Sequence, residues 1–135
     1  MSETAANSKE KRPTLTPMLS VRNGPRAADF YQAAFGAAVL FRIDEGGTIA
    51  LFSVAGAEFW IAEESPQNQN FSPETLNGST VRLILAVDDP DAVFARALAA
   101  GATQVWPVED KSYGWRVGRL ADPFGHNWEI GKPLK

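Results

Sequence analysis

A chain of 135 residues with a 44% hydrophobic fraction is sized for one globular domain, or two small modules sharing a core. Its net charge of −3, with basic residues scattered, argues against nucleic acid as a partner. Cysteine is absent, which excludes disulfide and thiol chemistry and fits a reducing compartment, so the cytoplasm is the expected location.

The polar, charged stretch 1–12 reads as a disordered tail with no apolar run suited to a signal peptide. No window approaches the roughly 20 apolar residues that span a bilayer, so no membrane association is expected. Residues 15–21 alternate: Leu15, Pro17, Leu19 and Val21 share one face of a strand, and Thr16, Met18 and Ser20 the other. Pro17 lacks an N–H, which suits an edge or a strand end. Asn23-Gly24-Pro25 then breaks the strand, and Pro25 sits in the first turn of a helix. Ala27, Phe30, Tyr31 and Ala34 recur at helical spacing, and Gly36 terminates the helix. Short strands follow at 38–43, 48–54 and 57–62, turned by Gly46-Gly47 and Ala55-Gly56. The stretch 63–80, rich in Ser, Pro, Gln, Asn and Gly, reads as a linker or mobile loop between a first module at 13–62 and a second at 81–135.

The second module repeats the plan. Val81, Leu83, Leu85 and Val87 share one face of its first strand, and Arg82, Ile84 and Ala86 the other. Asp88 or Asp89 caps a helix beginning near Pro90, with Ala92, Val93, Ala97 and Leu98 as the expected buried stripe. Strands fall at 104–108, 115–120 and 127–130, and residues 122–125 form the last turn. The fold class is therefore α+β: paired βαβββ modules forming a concave mixed β-sheet cleft, with the helices outside. One such module has little core of its own, so pairing is expected.

The run LADPFGHNWEI at 120–130 closely resembles the closing motif of the vicinal oxygen chelate superfamily. That superfamily includes glyoxalase I, extradiol dioxygenases, and the fosfomycin and bleomycin resistance proteins. VDDPDAVFARALAAGA at 87–102 resembles its strand–helix signature, and DFYQAAFG at 29–36 the corresponding signature of the first module. The likeness spans about residues 14–133, a single domain over 13–133, and is nearest to the PhnB-like, glyoxalase-related group. It implies a homodimer with a small-molecule site in the cleft.

Metal enzymes of that superfamily generally take four ligands, one on the first and one on the last strand of each module. Aligning Val21 with Val87 sets Thr16 against Arg82 and Met18 against Ile84; aligning Gly56 with Gly125 sets Trp60 against Glu129. Register can slip by two residues, but parity preserves the face. Of the four corresponding positions, Thr16, Trp60, Arg82 and Glu129, only Glu129 suits a divalent metal, and arginine repels one. The single histidine, His126, belongs to the turn before the last strand, where the resemblance assigns no ligand. Neither a metal nor another cofactor is expected.

Glu129 reads as a vestigial ligand, a binding-site acceptor or a solvated strand residue. Arg82 either pairs with it where a metal would sit or receives an anionic group of a ligand; the plain alternative is two unrelated surface charges. Trp60 is the stacking candidate on the concave face. Trp106 and Trp115 sit at strand ends near Tyr113, and packing or a dimer interface would use the same residue types. Trp128 reads as core; His126 could act as a general base, but a lone turn histidine reads first as a structural or exposed residue. The candidate ligand-binding set is Thr16, Met18, Trp60, Arg82, Ile84, Trp106, Tyr113, Trp115 and Glu129, with no catalytic residue assigned. The preferred function is metal-free binding of a small planar or aromatic molecule, by sequestration, in a cytoplasmic homodimer. The alternative is a glyoxalase-like lyase or dioxygenase holding a divalent metal on Glu129 and unforeseen ligands. A purely structural interaction module is the third reading.

Overall fold

Two polar-capped, proline-started helices set the frame on which both sheets are hung. The computed structural model describes residues 12–135, so the tail expected over 1–12 lies outside the described residues apart from Arg12. Strand β1 (Met18–Val21) leads into α1 (Gly24–Phe35), then β2 (Ala38–Ile43), β3 (Ile49–Val54) and β4 (Ala57–Glu63). A connection carrying a 3₁₀ turn (Pro66–Asn68) and α2 (Pro73–Leu76) follows. The plan then recurs as β5 (Arg82–Ala86), α3 (Pro90–Ala100), β6 (Thr103–Asp110), β7 (Trp115–Ala121) and β8 (Asn127–Pro133). The first sheet is ordered β1-β4-β3-β2 and the second β5-β8-β7-β6. In each, the first strand runs parallel to the last and the other pairs are antiparallel. The chain is thus α+β in the expected βαβββ arrangement. No helix among the described residues is long and apolar enough to cross a membrane.

The helix ends follow from their sequences. Asn23 Oδ1 accepts from the Arg26 N–H at 3.1 Å, and Asp89 Oδ1 from the Ala92 N–H at 3.1 Å, so each orphan first turn is capped. Gly36 closes α1 at φ 65°, a left-handed conformation that favours glycine. Ala27, Phe30, Tyr31 and Ala34 are all buried, as their spacing predicts. On α3 the expected stripe needs correcting: Phe94 and Ala97 are buried, Val93 and Leu98 half-buried, and Ala92 exposed. Ala92 belongs to the capped first turn, whereas the Phe94 ring lies against Gly118 of β7. A Cβ at Gly118 would come 2.9 Å from Phe94 Cε1, so the bare backbone there makes room for the ring.

Both helix-covered sheet faces meet in one core. Tyr31 contacts Phe52 and Phe59 of the first sheet, Trp128 of the second and Phe124 in the turn before β8, with ring centroids 5.1–6.2 Å apart. Asp122 is buried at the same place and accepts four hydrogen bonds: from Tyr31 Oη and Trp128 Nε1 on Oδ2, and from the Phe124 and His126 N–H groups on Oδ1. A buried carboxylate is tolerated because all of this satisfies it. Burial, then the Asp122 charge and hydrogen bond, pushes the Tyr31 phenol well above its ordinary value.

The connection at 63–80 is more ordered than a mobile loop. Ser72 and Pro73 are buried, the Ser72 N–H donates to Glu64 Oε1 at 2.8 Å, and Thr75 Oγ1 donates to the same carboxylate at 2.8 Å. Polar composition signalled a loop but concealed this side-chain anchoring. Pro17 falls just outside β1, yet its carbonyl accepts the Trp60 N–H at 2.9 Å, as a residue lacking its own donor can.

Candidate functional site

Each sheet keeps one face away from the helices, and the strand register fixes which side chains stand on it. Directly opposed residues share a face. In the first sheet one transverse row reads Met18, Trp60, Leu51, Phe41. In the second the corresponding row reads Ile84, Glu129, Arg119, Trp106. The register therefore sets Met18 against Ile84 and Trp60 against Glu129, the correspondence obtained by aligning the two halves. The rows differ in chemistry. The first is apolar throughout, with Phe41 and Trp60 in edge-to-face contact at 5.9 Å. Opposite charges occupy the centre of the second.

A cavity of about 230 Å³ opens on the second sheet, lined by Ile84, Tyr113, Trp115, Val117 and Glu129. Gly131, flanked by Ala86 and Val117, contributes no side chain here; a Cβ would lie 2.6 Å from the Arg116 carbonyl and 2.7 Å from Val117 Cβ. The bare mid-strand backbone thus lets Val117 and the Arg116 carbonyl pack close against it. Glu129 is largely covered, its side chain 14% exposed, and Arg82 reaches it with Nη1 3.3 Å from Oε2. Arg82 itself is 60% exposed, so the pair contributes at most about 1 kcal/mol to stability. Its consequence is local charge placement. Arg119, the direct cross-strand partner of Glu129, is half-buried and donates from Nε to Asn127 Oδ1 at 3.3 Å.

Of the nine candidate residues, the structure brings Ile84, Tyr113, Trp115 and Glu129 into one cavity and ties Arg82 to it. Trp106 stands two strands from Glu129, with Lys111 Nζ over its ring at 4.5 Å. Thr16, Met18 and Trp60 belong to the first sheet and its approach, apart from that cavity. Met18 instead lines a larger cavity of about 360 Å³ between β1, the 71–81 connection and Leu83. His126 lines that second cavity too, but its Nε2 is 2.9 Å from the Ser20 carbonyl. A carbonyl only accepts, so that nitrogen carries the proton and the ring joins the two halves. Arg119, Asn127, Val117 and Gly131 escaped the sequence reading. The parity of β7 would have found Arg119, since it faces as Trp115 does.

The metal that the resemblance implies has no suitable donor set here. The four corresponding positions supply a hydroxyl, an indole, a guanidinium and one carboxylate already paired with that guanidinium. Among the described residues no group of three or more His, Asp or Glu side chains is placed to hold an ion.

The profile of a family described as "Glyoxalase-like domain" matches residues 18–131. The uncharacterized protein Rv0887c of Mycobacterium tuberculosis is 40% identical over 129 residues, covering 91% of this chain and 76% of the relative. The crystal structure of the Arabidopsis thaliana At5g48480 product superposes with a TM-score of 0.72 at 28% identity, covering 90% of this chain and all of that one. A glyoxalase-related enzyme from Fulvimarina pelagi gives 0.67 at 26% identity, over 90% of this chain and 88% of its own.

Proposed function

The chain belongs to the glyoxalase-like family of the vicinal oxygen chelate superfamily, and we propose that it binds a small planar organic molecule without a metal, on the open face of the second sheet. The observation that carries this reading is the hollow framed by Trp115, Tyr113 and Ile84 with one ion-paired carboxylate at its edge. Indole and phenol faces stack on flat ligands, while a paired Glu129 offers an acceptor in place of a coordination site.

The hollow alone is small. At about 230 Å³ it falls below the roughly 300–1,000 Å³ of ligand pockets that enclose their occupant. A second copy of the chain supplies the missing wall. Met18, Phe41, Ile43 and Ile84 are 54%, 47%, 47% and 67% exposed, so both open faces carry uncovered apolar surface. Because the two sheets share one plan, the first sheet of one protomer can lie over the second sheet of its partner, and the reverse contact closes a two-fold dimer. The Met18–Trp60–Phe41 wall then faces Ile84 and Glu129. The absence of cysteine supports a reducing, cytoplasmic setting for this dimer.

Light scattering and tryptophan-fluorescence titration with two-ring aromatics test the reading together. The expected result is a dimer that binds, with Trp115→Ala weakening binding on the order of tenfold and Phe41→Lys giving a monomer that binds poorly. Binding indifferent to Trp115→Ala, or a monomer of full affinity, overturns it. The metal-dependent reading draws on the name of the Fulvimarina protein and on the retained Glu129. One equivalent of transition metal on protein purified without chelator would establish that alternative instead.

A further inference from the structure

We propose that the ligand is an anion, specifically an aromatic carboxylate, and that Arg119 receives its charged group; this rests on the cleft reading above. A guanidinium offers five N–H donors. Among the described residues Arg119 makes one side-chain hydrogen bond, to Asn127, and no ion pair. Glu129, its cross-strand neighbour, is held by Arg82 at 3.3 Å. Nearby on β6 and the following loop, Glu109 and Lys111 neutralise one another at 3.0 Å. Two guanidiniums therefore face a single carboxylate at the centre of this sheet, and one positive charge is left over.

The spacing selects the ligand. Arg119 stands on the same strand and face as Val117, which floors the aromatic hollow, and two residues of strand cover about 7 Å. Trp115 itself lies four residues, about 13 Å of strand, from Arg119, so a two-ring system lying over Val117 against Trp115 and Tyr113 presents a carboxylate at its far edge to the extended guanidinium. The planar fork of arginine then receives the carboxylate through paired N–H donors, which a lysine would not do as well. Half-burial strengthens the contact relative to one in open water.

The test compares 2-naphthoate with 2-naphthamide, its neutral counterpart of the same shape, by isothermal titration of the intact protein. Wild type is expected to bind the acid on the order of tenfold more tightly than the amide, the advantage of a charge-assisted contact. Arg119→Met should abolish that preference, lowering affinity for the acid on the order of tenfold to that of the amide. In wild type, added salt should weaken the acid and leave the amide unchanged, a readout independent of how well the variant folds. Equal affinity for the two probes, a preference that survives Arg119→Met, or salt-insensitive binding of the acid overturns the assignment while the cleft reading stands. Failure of both probes to bind removes the cleft reading, and the assignment with it.

Discussion

Tyr31→Phe isolates one oxygen atom at the point where the two halves of the molecule meet. The ring itself is fully buried and packs on Phe52, Phe59, Phe124 and Trp128, contacts that phenylalanine preserves. What disappears is one of four hydrogen bonds to Asp122; the indole of Trp128 and two backbone N–H groups remain. Leaving a buried acceptor short of one donor costs about 1–3 kcal/mol, and the three surviving donors place this case at about 2 kcal/mol. Urea unfolding should show a lower midpoint with an unchanged slope, and the melting temperature should fall by roughly 3–6 °C for each kcal/mol. The same residue predicts an alkaline limb. Burial, followed by the Asp122 charge, raises the Tyr31 phenol well above its ordinary value, so the fold favours its neutral form. That contribution is complete below about pH 10, the value for an unfolded tyrosine, and is lost as the pH climbs toward the raised folded value. The stability gap between wild type and Tyr31→Phe should therefore narrow above about pH 10. A variant as stable as wild type, or a gap that widens in alkali, would refute the account of Asp122 as a carboxylate whose satisfaction depends on Tyr31.

Two further substitutions probe the frame. Gly118→Ala places a Cβ 2.8 Å from the Val108 backbone nitrogen and 2.9 Å from the Phe94 ring, and should destabilise by about 1–3 kcal/mol in urea; a neutral result would show that α3 shifts freely off the sheet. Glu64→Gln addresses the 63–80 connection: the Ser72 N–H first, then Thr75, holds the Glu64 carboxyl below its usual 4.5. The wild-type contribution is present above that value and is lost as the pH falls through the lowered one, so the variant should lose less stability below about pH 4.5. Equal acid limbs would mean that the carboxylate does not anchor the connection.

The duplicated plan was legible because the features that specify it are local. The proline starts at Pro25 and Pro90, the glycine stops and the alternation on β1 and β5 each depend on a few neighbouring residues. Strand parity likewise placed Trp60 and Glu129 on faces away from the helices. The Tyr31–Asp122–Trp128 cluster was not legible, since it joins residues 91 positions apart through side chains whose types recur elsewhere in the chain. Arg119 lies on β7, a middle strand outside the first and last strands to which the resemblance assigns ligands, although the same parity rule applies there. The substitution of Phe94 for Ala92 in the buried stripe traces to the glycine opposite, a complementarity between distant residues that helical spacing cannot reveal.

Met18–Trp60–Leu51–Phe41 and Ile84–Glu129–Arg119–Trp106 occupy equivalent places in sheets of identical strand order. One retains an apolar residue at every position, while the other holds a carboxylate and a guanidinium on its two central strands. A charged row left under an apolar wall would bear a desolvation cost unless each charge found a partner. Arg82 meets that need for Glu129 at 3.3 Å, so the remaining imbalance belongs to Arg119 alone. In the proposed dimer, closing the two faces on one another would raise the worth of an anionic ligand at Arg119, because removal of water strengthens that contact and leaves the guanidinium only its Asn127 hydrogen bond. In the dimer proposed above, dimer formation and anion binding would be coupled, each making the other more favourable at the same residue.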